Sequence, residues 1–395
     1  MSFEYKLKSI YESSGRDATL NALSDAITEK KFDPTHSWSV RRLFEAFHGH
    51  DWAEKFQTRR ILEGPEAVSL SNAAAVGVSG QLLLSIIKDA YNLQKTVAND
   101  LCTTIGVTNQ NLGPEVTAYI SSPQNIGEEV IENETFPANL VATQSVTLPR
   151  IFKWGSLLNL SYESIVGDKT AQIIKQAQMI GQMVKLNETY NILNTVLGYA
   201  QNYIFNQTSL QTYYTASTPN APFVNKVTGF SIDSLQSINQ LEQIILNQVD
   251  PYSGQPIELL DRKQILVVPQ SLYKVRAIIN ADQVRYGDYN PSGDRFNTFS
   301  RNPLDSGEYE ILSDIYTSRV LQNNGMSYSD TANFMLFGNI AGAFVNRLLR
   351  PLTLDTLPQP STYNITNDVL MTCRAVLMSS CGVYDPRKVA LGVVS

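Results

Sequence analysis

The sequence predicts an α+β fold on three observations. Ile173, Ile174, Ala177, Ile180 and Val184 recur every three or four residues, the spacing that lines one face of a helix running from Lys169 to about Leu197. Residues 264–269 form instead a short continuous apolar run, the mark of a strand covered on both faces. Between Val116 and Leu160 the pattern changes to period two, with Val116, Ala118 and Ile120, then Val146 and Leu148, alternating with polar residues. At 395 residues the chain is long enough for two or three domains.

The remaining elements follow in chain order. Up to about Glu66 the sequence is charged, is broken by Pro34 and Pro65, and holds short helical patterns at Ala18 to Lys30 and Val40 to Arg60. This reads as an arm or small helical appendage. From Ser69 to Asp100, Leu82, Leu83, Ile86, Ile87, Ala90 and Leu93 mark a buried amphipathic helix. The two period-two strands bracket a polar stretch from Ser121 to Gln144, with an acidic run at Glu128, Glu129, Glu132 and Glu134 before Phe136 and Pro137. A hairpin this polar cannot bury its own faces and is expected to project and pack against something else. Asp168 is placed to cap the first turn of the long helix. Residues 202–225, rich in Tyr, Thr, Asn and Pro, read as an irregular excursion.

A second module opens near Phe230 with a helix on Ile232, Leu235, Ile238, Leu241, Ile244 and Ile245. The apolar strand and a short helix from Ser271 to Ala281 come next. Residues 285–307 are polar and too long for a simple connector, which marks a functional loop. Strands are expected at residues 309–312, 334–337, 343–347 and 352–357, then a helical or strand-like run at 367–378.

Composition narrows the function. An apolar share of 43% with 17% charged residues is globular, and a polar remainder of Asn, Gln, Ser, Thr and Tyr suits large protein contacts. A formal net charge of −6 disfavours a protein whose main work is gripping nucleic acid. Cys102, Cys373 and Cys381 form no CxxC pair and have no histidine at metal-ligand spacing, so they read as reduced, buried small hydrophobes. The charged N-terminus lacks the apolar core of a signal peptide, and no stretch reaches the length of a membrane span.

No catalytic, cofactor or metal site is predicted. His48, Gly49, His50 and Asp51 read as a solvated helix end, not as a metal centre, because further ligands are missing. Around Ser79 the second glycine, Gly80, falls one residue too early for a nucleophile elbow, and no histidine follows to act as base. Gly338 and Gly342 lack the middle glycine of a dinucleotide loop, and no Walker-type lysine motif occurs. The four glutamates of the polar hairpin have no pocket to shift their acidity, so they read as solvated or partner-facing.

Three groups of residues, in order over roughly Ser69 to Val394, resemble a known family. The first runs from Gly127 to Pro137, through Gln144 to Leu148 and Phe152 to Gly155, to Leu158 through Asp168 and the long helix. The second is Gln264 to Ile279; the third is Phe337–Gly338, Ala343 to Thr353, Asn367–Asp368 and Tyr384 to Ala390. This succession is similar to the extended loop, spine helix, apolar strand and closing strands of Hong Kong 97-type major capsid proteins of tailed double-stranded DNA bacteriophages.

The resemblance implies a Hong Kong 97-like capsid fold in six stretches. These are an N-terminal arm with helices (1–115), an extended hairpin loop (116–160), a peripheral domain with the spine helix (161–228), an axial domain (229–346), a peripheral return (347–383) and an axial completion (384–395). It implies a structural subunit assembling as hexamers and pentamers around double-stranded DNA, in the virion, after assembly in the host bacterial cytoplasm. Its partners would be itself, a portal protein and, in some relatives, scaffold or decoration proteins, with no cofactor. Glu128, Glu129, Glu132, Glu134, Phe136 and Pro137 are then expected to meet a neighbouring subunit. Arg285, Asp288, Asp294 and Arg295 are expected at the ring centre. Some family members cross-link a loop lysine to a neighbour's asparagine with a glutamate assisting. Here no lysine occurs between Lys95 and Lys153, and Thr372 to Ala375 stand where the glutamate is sought, so the shell is expected to be non-covalent. The arm from Met1 to Glu66 is expected to be retained, and Lys169, Lys175 and Lys185 are candidates to face the DNA. The rivals are an encapsulin-type nanocompartment shell and an unrecognised cytosolic two-domain enzyme.

Overall fold

The computed structural model describes residues 3–28, 38–52, 73–108, 115–123, 141–200, 202–249, 256–257, 262–281, 283–289, 295–301, 307–357 and 369–394. In chain order its main helices are α1 (Phe3–Thr28), α2 (Val40–His48), α3 (Ala73–Leu93), α4 (Tyr162–Val166), α5 (Thr170–Val196), α6 (Leu235–Leu246), α7 (Pro269–Ile279) and α8 (Ile315–Asn323). The strands are β1 (Thr103–Gly106), β2 (Glu115–Pro123), β3 (Val141–Leu148), β4 (Phe152–Ser161), β5 (Tyr203–Phe205), β6 (Thr208–Leu210), β7 (Lys226–Val227) and β8 (Lys263–Val267). They continue with β9 (Gln283–Tyr289), β10 (Arg295–Arg301), β11 (Tyr309–Ser313), β12 (Met335–Gly338), β13 (Phe344–Leu357), β14 (Val369–Val383) and β15 (Val389–Gly392). The class is α+β, as the patterning predicts.

The chain divides into two compact units, one of Met1–Lys95, Lys153–Glu188 and Arg350–Met378, the other of Thr96–Phe152, Thr189–Leu349 and Ser379–Ser395. In the first unit, α2 packs on α1, α3 and α4. The predicted stripe on α5 is buried, with Ile173, Ile174, Ala177, Ile180 and Val184 all at 8% exposure or less. On α3, Leu82, Leu83, Ile86 and Ile87 are buried as well. Gly181 lets the two helices approach: a Cβ there would lie 2.3 Å from the Ile87 carbonyl oxygen and 3.0 Å from the Tyr91 amide nitrogen. Phe44, Trp52 and Tyr162 stack in series, with ring centroids 5.2 and 6.1 Å apart.

Asp168 does not cap α5 in the expected way. It sits at φ 47°, and its carboxylate accepts from the Thr170 and Ser39 hydroxyls, each at 2.7 Å. The Thr170 hydroxyl in turn accepts from the Val40 amide at 2.9 Å, and Ser39 caps α2 by accepting from the Arg42 amide. One carboxylate thus holds the starts of both helices, because an acceptor-only group can collect two hydroxyls while each hydroxyl still serves an orphan amide.

The second unit is built on a five-stranded sheet of order β11-β8-β12-β15-β7. β8 runs parallel to β11 and antiparallel to β12, and both of its faces are covered, as its unbroken apolar run predicts. Ile265, Val267, Met335, Phe337 and Ala390 face α6 and α7 through Ile238, Leu241, Ile245, Val275 and Ile279. Leu266, Leu336 and Leu391 join the other cluster, with Ile192, Leu193 and Val196 of α5 and Val146 and Leu148 of β3. Each such side chain contributes about 1.5–3 kcal/mol by burial. Gly338, at φ 130°, lets β12 pass the Lys388 carbonyl, which a Cβ would approach to 2.3 Å.

Other expectations shift in detail. α1 begins at Phe3, well before Ala18, and buries Leu7, Thr19 and Leu23, too widely spaced to show as a stripe. The excursion at 202–225 is partly regular: β5 and β6 are joined by Asn206 and Gln207, both at positive φ, as a two-residue hairpin turn requires. Asn225 is fully buried and ties it down, accepting from the Tyr214 amide and donating to the Thr212 and Pro386 carbonyls. The two strands expected at 343–347 and 352–357 are one strand, β13. Its pairing with β1 spans Val345 to Leu348, so Pro351 falls where no amide is needed for that ladder.

α2 ends at His48, short of the helical pattern read to Arg60, because Gly49 at φ 92° closes it; the helix end is exposed at His50 as expected. His48 itself is not solvated. Its ring lies 6.2 Å from that of Phe44, and its Nε2 is buried without a hydrogen-bond partner among the described residues. Burial, helped by the charge of Lys8 on α1, holds its pKa below the ordinary 6.5. The unfolded chain therefore binds the proton first, so this contact is fully stable above pH 6.5 and weakens as pH falls from there through the lower folded value. Hydrogen exchange of α1 and α2 amides in the intact chain should show opening that rises by up to about tenfold per pH unit in that window, and a flat profile in His48→Phe. At the helix crossing, Gly181→Ala is expected to destabilise the first unit by about 1–3 kcal/mol in urea unfolding, from overpacking against α3.

Candidate assembly surfaces

Among the described residues no group of three or more His, Cys, Asp or Glu side chains is arranged to hold a metal ion. No described helix is long and apolar enough to cross a membrane. All three cysteines are free and buried. Burial pushes the Cys373 thiol up to about 12, and a hydrogen bond with Cys102 together with burial raises Cys381, so neither forms a thiolate nucleophile readily.

The polar hairpin is present as β2 and β3, paired antiparallel from Glu115↔Leu148 to Pro123↔Val141, with a bulge between Val116 and Ala118. β3 also pairs with β5 at Val146↔Phe205 and Thr147↔Ile204. Its base is rooted: Val146 and Leu148 lie in the core of the second unit, and Asn206 accepts from the Ser145 amide at 2.9 Å. The sheet order β2-β3-β5-β6 leaves β2 at an edge. Glu128, Glu129, Glu132, Glu134, Phe136 and Pro137 lie outside the described residues, as does Asp294.

The polar stretch at 285–307 contains structure that its composition did not announce. β9 and β10 form a two-stranded antiparallel ribbon, from Gln283↔Arg301 to Tyr289↔Arg295. Directly opposed residues share a face and successive residues alternate. The register sets Arg285 opposite Phe299 and Arg295 opposite Tyr289. Asp288 stands opposite Phe296, and Tyr286 opposite Thr298. Among the described residues these two strands form a sheet of their own. Of the four predicted ring residues, Arg285, Asp288 and Arg295 fall within the ribbon.

The three candidate lysines on and just before α5 divide. Lys169 and Lys175 are exposed, whereas Lys185 is 5% exposed and is not available to DNA. Its ammonium lies 2.9 Å from the Glu188 carboxylate and 5.1 Å above the Tyr91 ring. Tyr91 donates to the same Glu188 oxygen at 2.7 Å, and burial together with that carboxylate raises the phenol's pKa. An i, i+3 spacing of Lys and Glu on a helix is the sequence signal for such a pair, but it does not show whether the pair is buried.

No family model and no curated protein matches the sequence. Solved structures do match in part. The capsid of cyanophage P-SCSP1u is similar at 13% identity over 76% of this chain and 88% of that one, with a TM-score of 0.46. The capsid of a native GTA particle is similar at 9% identity, over 77% and 92%, with a TM-score of 0.45. A virus-like particle from Pyrococcus furiosus is similar at 11% identity, over 78% and 97%, with a TM-score of 0.39.

The ion pair on α5 gives a clear mutational expectation. Lys185→Met or Glu188→Leu alone should cost about 3–5 kcal/mol by stranding a buried charge, while the double variant should recover most of it. Unfolding curves of the three variants check this.

Proposed function

We propose that the chain is the major subunit of a bacteriophage head shell, assembling with copies of itself as hexamers and pentamers into an icosahedral container for double-stranded DNA. The observation that carries this reading is the pairing of a firmly rooted hairpin, β2–β3, with a free-standing ribbon, β9–β10. Two strands alone do not stabilise themselves in water, so such elements need cover from another molecule. A ribbon that forms a sheet of its own among the described residues, beside a hairpin whose outer strand β2 is a sheet edge, fits a chain built for contact with its own kind. The sequence resemblance to the capsid family supports the same reading independently of the geometry.

In this reading the segment with Glu128, Glu129, Glu132, Glu134, Phe136 and Pro137 lies over a neighbouring subunit, and the β9–β10 ribbon reaches the ring centre. The six stretches assigned from the sequence, with arm, extended loop, peripheral and axial parts, are the corresponding division of labour. A portal protein, and in some systems scaffold or decoration proteins, complete the particle, which is assembled in the host bacterial cytoplasm. Lys169 and Lys175 remain candidates for DNA contact. The net charge of −6 fits a shell that contains DNA without gripping it.

Gel filtration of the purified chain should show large assemblies or ring-sized oligomers under assembly-promoting conditions. A stable monomer or dimer in every condition tried would argue for an ordinary two-domain enzyme instead. On a denaturing gel, assembled material should run as a single subunit band; a ladder of linked subunits would refute the non-covalent shell.

A further inference from the structure

We propose that Asn324 is a site of spontaneous covalent modification, closing to a succinimide with Gly325 and reopening as aspartate or isoaspartate, and that the C-terminal cap of α8 controls when this happens. The inference goes beyond the shell reading and does not depend on it. Asparagine is a thermolabile residue, and the sequence holds a single Asn-Gly step, at Asn324–Gly325. Glycine has no Cβ to shield its amide or to hinder the backbone rotation that ring closure needs.

The reaction uses no reagent but water. The Gly325 backbone nitrogen attacks the side-chain carbonyl carbon of Asn324, the Cγ–Nδ2 bond breaks, and the displaced nitrogen takes the Gly325 proton and leaves as ammonia. Water then adds to one of the two ring carbonyls. Aspartate results when the new C–N bond breaks, isoaspartate when the original backbone bond breaks.

Both reacting groups are exposed, yet both are held. Gly325 sits at φ 95°, its N–H donates to the Gln322 carbonyl at 3.0 Å, and the Met326 N–H donates to the Leu321 carbonyl at 3.1 Å. These are the paired bonds of a Schellman cap. The Asn324 Nδ2 donates to the Val320 carbonyl at 2.9 Å. The attacking nitrogen and the departing one are thus tied to different carbonyls of the last turn of α8, so ring closure waits for that turn to open. The products cannot rebuild the cap. Isoaspartate lengthens the backbone between two bonded amides, and either product replaces the donor to Val320 with a carboxylate beside the negative end of the helix. An opening that ends in reaction is therefore permanent, at the end of a helix that places Val320 and Leu321 in the core of the second unit.

Peptide mapping by mass spectrometry, with enzymatic methylation to detect isoaspartate, tests this on the full chain held in mildly alkaline buffer, folded and in guanidinium. In guanidinium, Asn324 should be modified ahead of every other asparagine. The folded chain should react at least about tenfold more slowly, and that slowing should match the hydrogen-exchange protection of the Gly325 and Met326 amides within about threefold, because one opening governs both. Equal rates in the two states overturn the control by the cap. Another asparagine modified first in guanidinium, or a signal at this position that persists in Asn324→Gln, overturns the site. The two rate comparisons use the wild-type chain alone, so they decide the matter even if the variant does not fold.

Discussion

Helix α5 supplies apolar side chains to two separate cores, and most of the chain is organised around that demand. Its first half buries Ile173, Ile174, Ala177, Ile180 and Val184 against elements of the first unit. Its last turns bury Ile192, Leu193 and Val196 in the larger cluster of the second. A helix of about 40 Å, at 1.5 Å per residue, must stay continuous to do both. The absence of glycine except at Gly181, where α3 crosses, and of proline anywhere along it, meets that requirement. The start of the helix is fixed with equal care, through the shared carboxylate of Asp168.

The hairpin β2–β3 is held only at its base, where β3 joins β5 and places Val146 and Leu148 in the core. Among the described residues the ribbon β9–β10 is a two-stranded sheet of its own. Two strands alone are marginal in water, so the stability of the ribbon is tied to what it touches. The proposed shell supplies that contact from neighbouring copies, and it makes assembly and the ordering of these elements a coupled event.

What could be read in the sequence follows the strength of the periodic signal. The stripe on α5 and the unbroken apolar run of β8 were legible because burial on one side or on two sides leaves different spacings. α1 was placed too late, since Leu7, Thr19 and Leu23 are its scattered anchors. The ribbon is legible as a long polar loop but not as strands, because its run of Arg, Tyr, Asp and Phe lacks the apolar-polar contrast that marks a strand on a core. The environments of His48 and Lys185 were misjudged for a related reason. A polar residue type suggests solvent, and only the packing of α1 on α2, or of Tyr91 beside Glu188, removes it. Asp168 was correctly singled out, but its hydroxyl partners depend on Ser39, 129 residues away in sequence.

The central claim is that this chain forms a closed container of its own copies. Electron microscopy of the purified chain, imaged as assembled and then reconstructed, tests that most directly. The account predicts icosahedral particles built of hexamers and pentamers, with the β2–β3 hairpin of each subunit lying over a neighbour. Dispersed single molecules, or open aggregates with no closed symmetry, would contradict it.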